Sequence, residues 1–306
     1  MRVVVTEPVH PDALALLAGA GCAVAYLPAL AATEADAALR SAEAILVRIR
    51  PVPAALMAPP LRLVVKHGTG VDNIPLAAAK AAGVAVMNTP GANAQAAAEH
   101  TLALILALAK ALPAMQATVA AGRRTDPACR VIDLADARLL LVGYGAIARR
   151  VGALATAFGM AVTVHSPRLT GAQTAEGWAV APDLRAALPG TDILSLHCPL
   201  TPATRRMIGA GELALLPPGA LVVNTARGGI IDEAALAAAR HLGGIALDAT
   251  EVEPLPPDHP LQGRADVILT PHSAGASIGA FRAVGMAAAR NILDFAAGRP
   301  DPAHLL

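Results

Sequence analysis

The chain has 306 residues, 55% of them hydrophobic but only 2% aromatic and 15% charged, with a net charge of +1. This balance describes a globular protein cored by Ala, Leu and Val, and it gives no electrostatic basis for a nucleic-acid or acidic-membrane partner. The mean hydropathy of +0.53 comes largely from alanine, no stretch approaches the ~20 strongly apolar residues of a spanning helix, and the length predicts about two domains.

Cys22, Cys129 and Cys198 are odd in number and widely spaced. They imply neither a disulfide framework nor a zinc site, and read as small buried side chains in a cytoplasmic protein. The first residues, MRVVV, read as a strand rather than a signal peptide.

Residues 1–95 alternate short apolar runs with helical patterns. The runs at 3–5, 23–27, 44–47, 63–65 and 84–87 are expected strands. Strands apolar on both faces and alternating with helices argue for a parallel sheet covered on both sides. This first unit carries no dinucleotide fingerprint. A long helical pattern over 94–121 follows, interrupted by Pro113, which ends or kinks a helix; it is expected to bridge two domains. A second unit begins at Arg138, with six strands expected at 139–143, 161–165, 192–197, 220–225, 244–248 and 266–270. The last amphipathic stretch, 280–297, is expected to return to the N-terminal unit and make that domain discontinuous.

Between the first two strands of the second unit lies Gly143-x-Gly145-x-x-Ala148. In this setting the first Gly permits the tight turn, the second lets backbone approach a pyrophosphate, and the small third residue lets helix pack on strand. The pyrophosphate would rest on the helix's opening amides, at Ala146 and Ile147.

Ligands of open α/β sheets bind beyond the carboxyl ends of the strands. Three of those ends carry reactive side chains: NTARGG with Arg227, LDATEVEP with Glu253, and TPHSAG with His272. Taken singly, Arg227 reads as a surface charge, His272 as a structural group and Glu253 as a solvated loop residue. Together, after consecutive strands of one sheet, they read as an active site. His197 and Cys198 are neighbours on a strand and face opposite ways, so they do not make a thiol–base pair. No metal site is expected; Glu99-His100 is not part of an H-E-x-x-H pattern.

NTARGGIIDEAAL, ALDATEVEPL and TPHSAGAS resemble the signature blocks of the D-isomer-specific 2-hydroxyacid dehydrogenases. So do KHGTGVDNI, NTPGANAQAAAEHTLALILAL and LHCPLTPATRRMI, in the expected order from about residue 45 to the C-terminus. The resemblance implies hydride transfer between a nicotinamide cofactor and C2 of a small D-2-hydroxy or 2-keto acid. Arg227 would clamp the substrate carboxylate and polarise its C2 carbonyl. His272 would be the acid/base, with Glu253 orienting it and raising its pKa. Gly68, Thr69, Gly70 and Val71 would offer backbone N–H groups to the substrate carboxylate. Asp248, by itself an ordinary strand-end residue, would by the resemblance reach the nicotinamide carboxamide, Cys198 and Pro199 would line the adenine pocket, and Thr101, Thr204, Thr225 and Ala226 would also lie at the cofactor. The architecture implied is α/β, with two doubly wound parallel-sheet domains. One is a Rossmann NAD(P)-binding domain at 96–277; the other is a smaller flavodoxin-like substrate domain formed by 1–95 and 278–306. A homodimer is the implied assembly.

The sequence departs from the family's pattern in two places. NAD enzymes carry an Asp or Glu at the end of the second strand to bind the ribose 2′-OH. Here that position is Ser166, followed by Pro167 and Arg168. A carboxylate would repel a 2′-phosphate, whereas Ser166 and Arg168 would receive one, which favours NADP over NAD. The other reading has Arg168 as a surface charge and Ser166 alone on the 2′-OH. The segment 121–132 lacks the Gly-x-Trp often found in relatives and is expected to touch a partner subunit. No serine-sensing regulatory domain is expected beyond the two-domain core. Arg48, Lys66 and His67, at strand ends of the first unit, read either as sites for a second anionic group or as solvated residues. The competing function is a non-catalytic, NAD(P)-sensing corepressor-like protein on the same scaffold; a hydrolase using a bound dinucleotide would need further substrate-binding segments.

Overall fold

The computed structural model describes all residues except Thr125, Pro127 and Ala128, which lie within the 121–132 segment expected to meet a partner. The chain divides into two compact units, Met1–Asn93 with Ala276–Leu306, and Ala94–Gly275.

The first unit holds five parallel strands, β1 (Arg2–Val5), β2 (Ala23–Tyr26), β3 (Ala44–Val47), β4 (Leu63–Lys66) and β5 (Ala85–Met87), in the order β2-β1-β3-β4-β5. Successive side chains on a strand face opposite ways, so an all-apolar run serves two cores. Val3, Val5, Leu46, Leu63 and Val65 pack on one face with Leu17 of α1 (Pro11–Gly19). Ala288 and Ile292 of the C-terminal helix Ile278–Ala296 join the same cluster. Val4, Ile45, Val47, Val64 and Val86 form the opposite face, beneath α2 (Ala32–Ser41) and α3 (Leu76–Ala81).

The second unit opens with α4 (Ala94–Ala109) and α5 (Leu112–Ala120). The break falls at Ala111, which takes a left-handed φ of 48°, so that Pro113 sits in the first turn of α5. A proline there needs no N–H partner, whereas inside a continuous helix its ring would strike the carbonyl four residues back. The two helices bend by 54°, and no single helix among the described residues is long and apolar enough to cross a membrane. Ala98, Leu102, Leu104, Ile105 and Leu108 of α4 are buried in the core of the second unit with Leu139, Leu141 and Val151.

The second sheet contains β6 (Arg138–Val142), β7 (Ala161–His165), β8 (Ala179–Val180), β9 (Ile193–Leu196), β10 (Leu221–Asn224), β11 (Gly244–Leu247) and β12 (Val267–Leu269). All pairings are parallel, in the order β12-β11-β10-β9-β6-β7-β8. This is the doubly wound dinucleotide order with one further edge strand. The sequence predicts six strands, and the described residues form seven. The additional one, β8, is a two-residue edge strand beside Trp178, too short to show a periodicity of its own. The expected α/β class with two doubly wound parallel sheets is borne out. The order of the strands reverses between β6 and β9, where connections leave in opposite directions and open a crevice.

Candidate active site

At that reversal, Gly143 follows β6 with φ +113°, a conformation L side chains rarely adopt. A Cβ there would lie 2.6 Å from the His197 carbonyl oxygen, beyond the end of β9. The turn therefore needs glycine for two separate reasons. Gly145 differs: a Cβ on it would meet nothing within 4 Å. Gly145 is the N-cap of α6 (Ala146–Ala157) and has no side chain to cap it, so the orphan amides of the first turn are left to a ligand. Ala148 is fully buried, which seats α6 on the sheet. An open cradle with a bare helix N-terminus suits the pyrophosphate of a dinucleotide. Beside it, Tyr144 and Arg149 both hold Glu176. Burial alone would raise the Glu176 pKa, but these hydrogen bonds outweigh it and lower the pKa to about 2.

Arg227, Glu253 and His272 stand on the loops after β10, β11 and β12. Arg227 is extended, and its Nη1 donates to the Ala226 carbonyl at 2.7 Å. Its turn is fixed by Asn224, whose Nδ2 donates to the Arg227 carbonyl at 2.6 Å while its Oδ1 accepts from the Ala226 amide at 3.0 Å. Gly228 is obligatory, since a Cβ would fall 2.1 Å from the Thr250 carbonyl oxygen. Glu253 brackets Nδ1 of His272 with both oxygens, at 3.0 and 2.9 Å. Glu233 supports the same loop by accepting the Glu251 amide at 2.6 Å; burial is the chief cause of its raised pKa.

A family model described as D-isomer specific 2-hydroxyacid dehydrogenase, NAD binding domain, matches residues 102–274. The chain belongs to this family. It is 33% identical to a D-3-phosphoglycerate dehydrogenase of Archaeoglobus fulgidus over 98% of its own length, and spans 58% of that protein. It is 40% identical to a glyoxylate reductase of Aeropyrum pernix over 80% of its own length and 76% of that protein. Among solved structures, a Thermus thermophilus protein is similar at 33% identity and a TM-score of 0.87, with all of both chains covered.

Thr101 is fully buried and donates to the Ala97 carbonyl at 2.7 Å, so its oxygen accepts the hydroxyl of Thr225 at 2.8 Å. It presents no open face to a cofactor and supports Thr225 from behind. Asp248 is 1% exposed, and its oxygens accept from Thr270, Ser273 and Ala274 rather than pointing outward. Ser166 is buried and accepts the Arg168 amide at 3.4 Å, while the Arg168 side chain is exposed. Thr204 ties its own loop, donating to the Pro199 carbonyl at 2.6 Å and accepting the Thr201 amide at 2.8 Å. Burial raises the Cys198 thiol to about 11, and His197 bonds to Ser195 at 2.9 Å instead. Cys198, like Cys22 and Cys129, is half-buried rather than buried as expected.

In the first unit the expected anion site is partly consumed internally. The Gly68 amide donates to Thr89 Oγ1 at 3.0 Å, while those of Thr69, Gly70 and Val71 have no hydrogen-bond partner among the described residues. Lys66 binds the Arg48 carbonyl and Asn73 Oδ1, so it ties two loops together. His67 is buried, with Nε2 unpartnered among the described residues, and burial is the chief cause of its pKa falling to about 4. Arg48 lies over the Phe281 ring at 5.6 Å. Sequence reasoning missed Glu7, whose carboxylate gathers the amides of Arg48, Ile49 and Arg50 at 2.7, 2.9 and 3.1 Å. Burial opposes ionisation of Glu7, but the backbone hydrogen bonds prevail and lower its pKa.

Proposed function

We propose that this chain is an NAD(P)-dependent oxidoreductase that transfers a hydride between the cofactor and C2 of a small D-2-hydroxy or 2-keto acid. The observation that carries the reading is the two-oxygen grip of Glu253 on His272 Nδ1, on loops adjacent to the one bearing Arg227. With Nδ1 held, Nε2 is the ring position left to exchange a proton with the substrate oxygen. In reduction His272 gives that proton to the C2 oxygen, and in oxidation it removes one from the hydroxyl. Arg227 clamps the carboxylate with its planar fork and draws charge towards the C2 oxygen. Bound nicotinamide supplies the hydride chemistry at its C4. Gly143, Gly145 and the opening amides of α6, including Ala146 and Ile147, hold the pyrophosphate, with Thr225, Ala226, Cys198, Pro199 and Thr204 as further cofactor contacts.

NADP is favoured over NAD. The support is Ser166 in place of a carboxylate, with the exposed Arg168 two residues on. The amides of Thr69, Gly70 and Val71, without partners among the described residues, support a carboxylate-binding role for that turn. The assembly proposed is a homodimer, supported by Leu112, Met115 and Val119 of α5, exposed at i, i+3 and i+7. Unpaired Cys22, Cys129 and Cys198 support a cytoplasmic location.

The test is oxidation of NADPH and NADH with glyoxylate, hydroxypyruvate, pyruvate and 3-phosphohydroxypyruvate. Turnover of at least one is expected, with NADPH the better donor. Tight cofactor binding with no turnover of any 2-keto acid would replace the enzyme by a cofactor-sensing protein.

A further inference from the structure

His272 has a backbone φ of 52°, in the left-handed region that residues bearing a Cβ rarely occupy without support. The support comes from both sides. Before it, Pro271 fixes its own φ, and the His272 amide closes onto the Thr270 carbonyl at 3.0 Å. After it, the amides of Ser273 and Ala274 donate to Oδ1 and Oδ2 of Asp248, each at 2.8 Å. The Thr270 hydroxyl donates to the same Oδ1 at 2.6 Å. One buried carboxylate thus binds three of the residues that flank His272.

A further side chain completes the arrangement. His100, on α4, places Nε2 3.1 Å from Thr270 Oγ1 and 3.5 Å from Asp248 Oδ1. A hydroxyl has one proton, and Thr270 gives it to Asp248. His100 Nε2 must therefore be the donor to Thr270, which makes it the protonated ring nitrogen. The order is His100 to Thr270 to Asp248, ending on the backbone that carries His272. Each member is buried or half-buried, where an unmet partner costs more than at the surface.

We propose that Asp248, Thr270 and His100 are positioning residues for His272, a polar strap that holds its left-handed backbone and so aims the ring at Glu253 and the substrate. This assigns Asp248 a duty to the acid/base loop, distinct from the nicotinamide carboxamide. The inference rests on the acid/base reading of His272 given above.

The test compares Thr270→Val, which removes the relay hydroxyl and keeps the shape, with Thr270→Ser, which restores the hydroxyl, and His272→Gln as control. In Thr270→Val the expected result is a kcat about 10-fold or more lower, with the Kd for NADPH and the KM for the 2-keto acid within about twofold of the parent; Thr270→Ser recovers the rate. Loss of one buried network hydrogen bond is of the size that gives such a factor. His100→Leu is expected to behave like Thr270→Val. An unchanged kcat in Thr270→Val overturns the strap. A loss appearing mainly as weaker NADPH binding also overturns it, and returns Asp248 to the carboxamide. Full activity in His272→Gln removes the acid/base reading itself, an outcome distinct from either.

Discussion

Glu253 embraces Nδ1 of His272 with both carboxylate oxygens, at 3.0 and 2.9 Å, although the two side chains are 42% and 47% exposed. An exposed pair contributes little to stability, so its geometry is better explained by what it does to the ring. Glu253→Gln keeps an acceptor for Nδ1–H but removes the two-oxygen carboxylate grip that orients the ring. Its kcat is expected to fall about 10-fold or more, with the melting temperature and cofactor Kd unchanged. Steady-state kinetics beside thermal unfolding checks this, and a variant losing stability but not rate would make the pair structural.

The two fingerprint glycines are expected to fail differently. Gly143→Ala puts a Cβ 2.6 Å from the His197 carbonyl on a left-handed backbone, so both stability and cofactor binding should fall. Gly145→Ala places its methyl in open space, where only a bound pyrophosphate would meet it. That variant should unfold like the parent yet bind NADPH at least about 10-fold more weakly, the order expected of backbone held off its anion. Calorimetric titration and urea unfolding of both variants separate the cases. Undiminished NADPH affinity in Gly145→Ala contradicts the placement of the pyrophosphate.

Cofactor choice is expected to turn on the end of β7. Ser166→Asp with Arg168→Ala sets a carboxylate against a 2′-phosphate and removes the cation proposed to receive it. The ratio of kcat/KM for NADPH to that for NADH should fall about 100-fold, the scale of one lost and one repulsive charge contact. An unaltered ratio leaves Arg168 a surface charge.

Two imidazoles, His67 buried and His197 half-buried, give the fold an acid-side weakness. His67 and His197 are held to about 4 against an ordinary 6.5, chiefly by burial of the ring. Between these values the unfolded chain binds protons that the folded chain refuses. Their contribution is therefore complete above pH 6.5 and is lost as the pH falls towards 4, by about 2 kcal/mol per ring at pH 5. His197→Gln, which retains a partner for Ser195, should flatten the fall in urea midpoint between pH 7 and pH 5. An identical fall in the variant contradicts the assignment.

The strand ends were legible because each hydrophobic run stops abruptly, at Asn224, Leu247 and Leu269, and the reactive residues follow at once. The turn glycines were legible because their spacing is dictated by the ligand. The supporting contacts were not. His100 and Thr270 are 170 residues apart and Glu7 and Arg48 are 41 apart, and a single polar contact imposes no period on the sequence between. For the same reason nothing in the sequence showed that the oxygens of Asp248 accept from Thr270, Ser273 and Ala274. The edge strand β8 escaped notice because two residues cannot show alternation.

Direct transfer of hydride to C2 of a 2-keto acid, on a face fixed by Arg227 and His272, is the step proposed for this chain. Reduced cofactor deuterated at the transferred C4 position, incubated with the best 2-keto acid and the enzyme, should give the D-2-hydroxy acid carrying deuterium at C2. Product of the L configuration, or product without deuterium at C2, would contradict it.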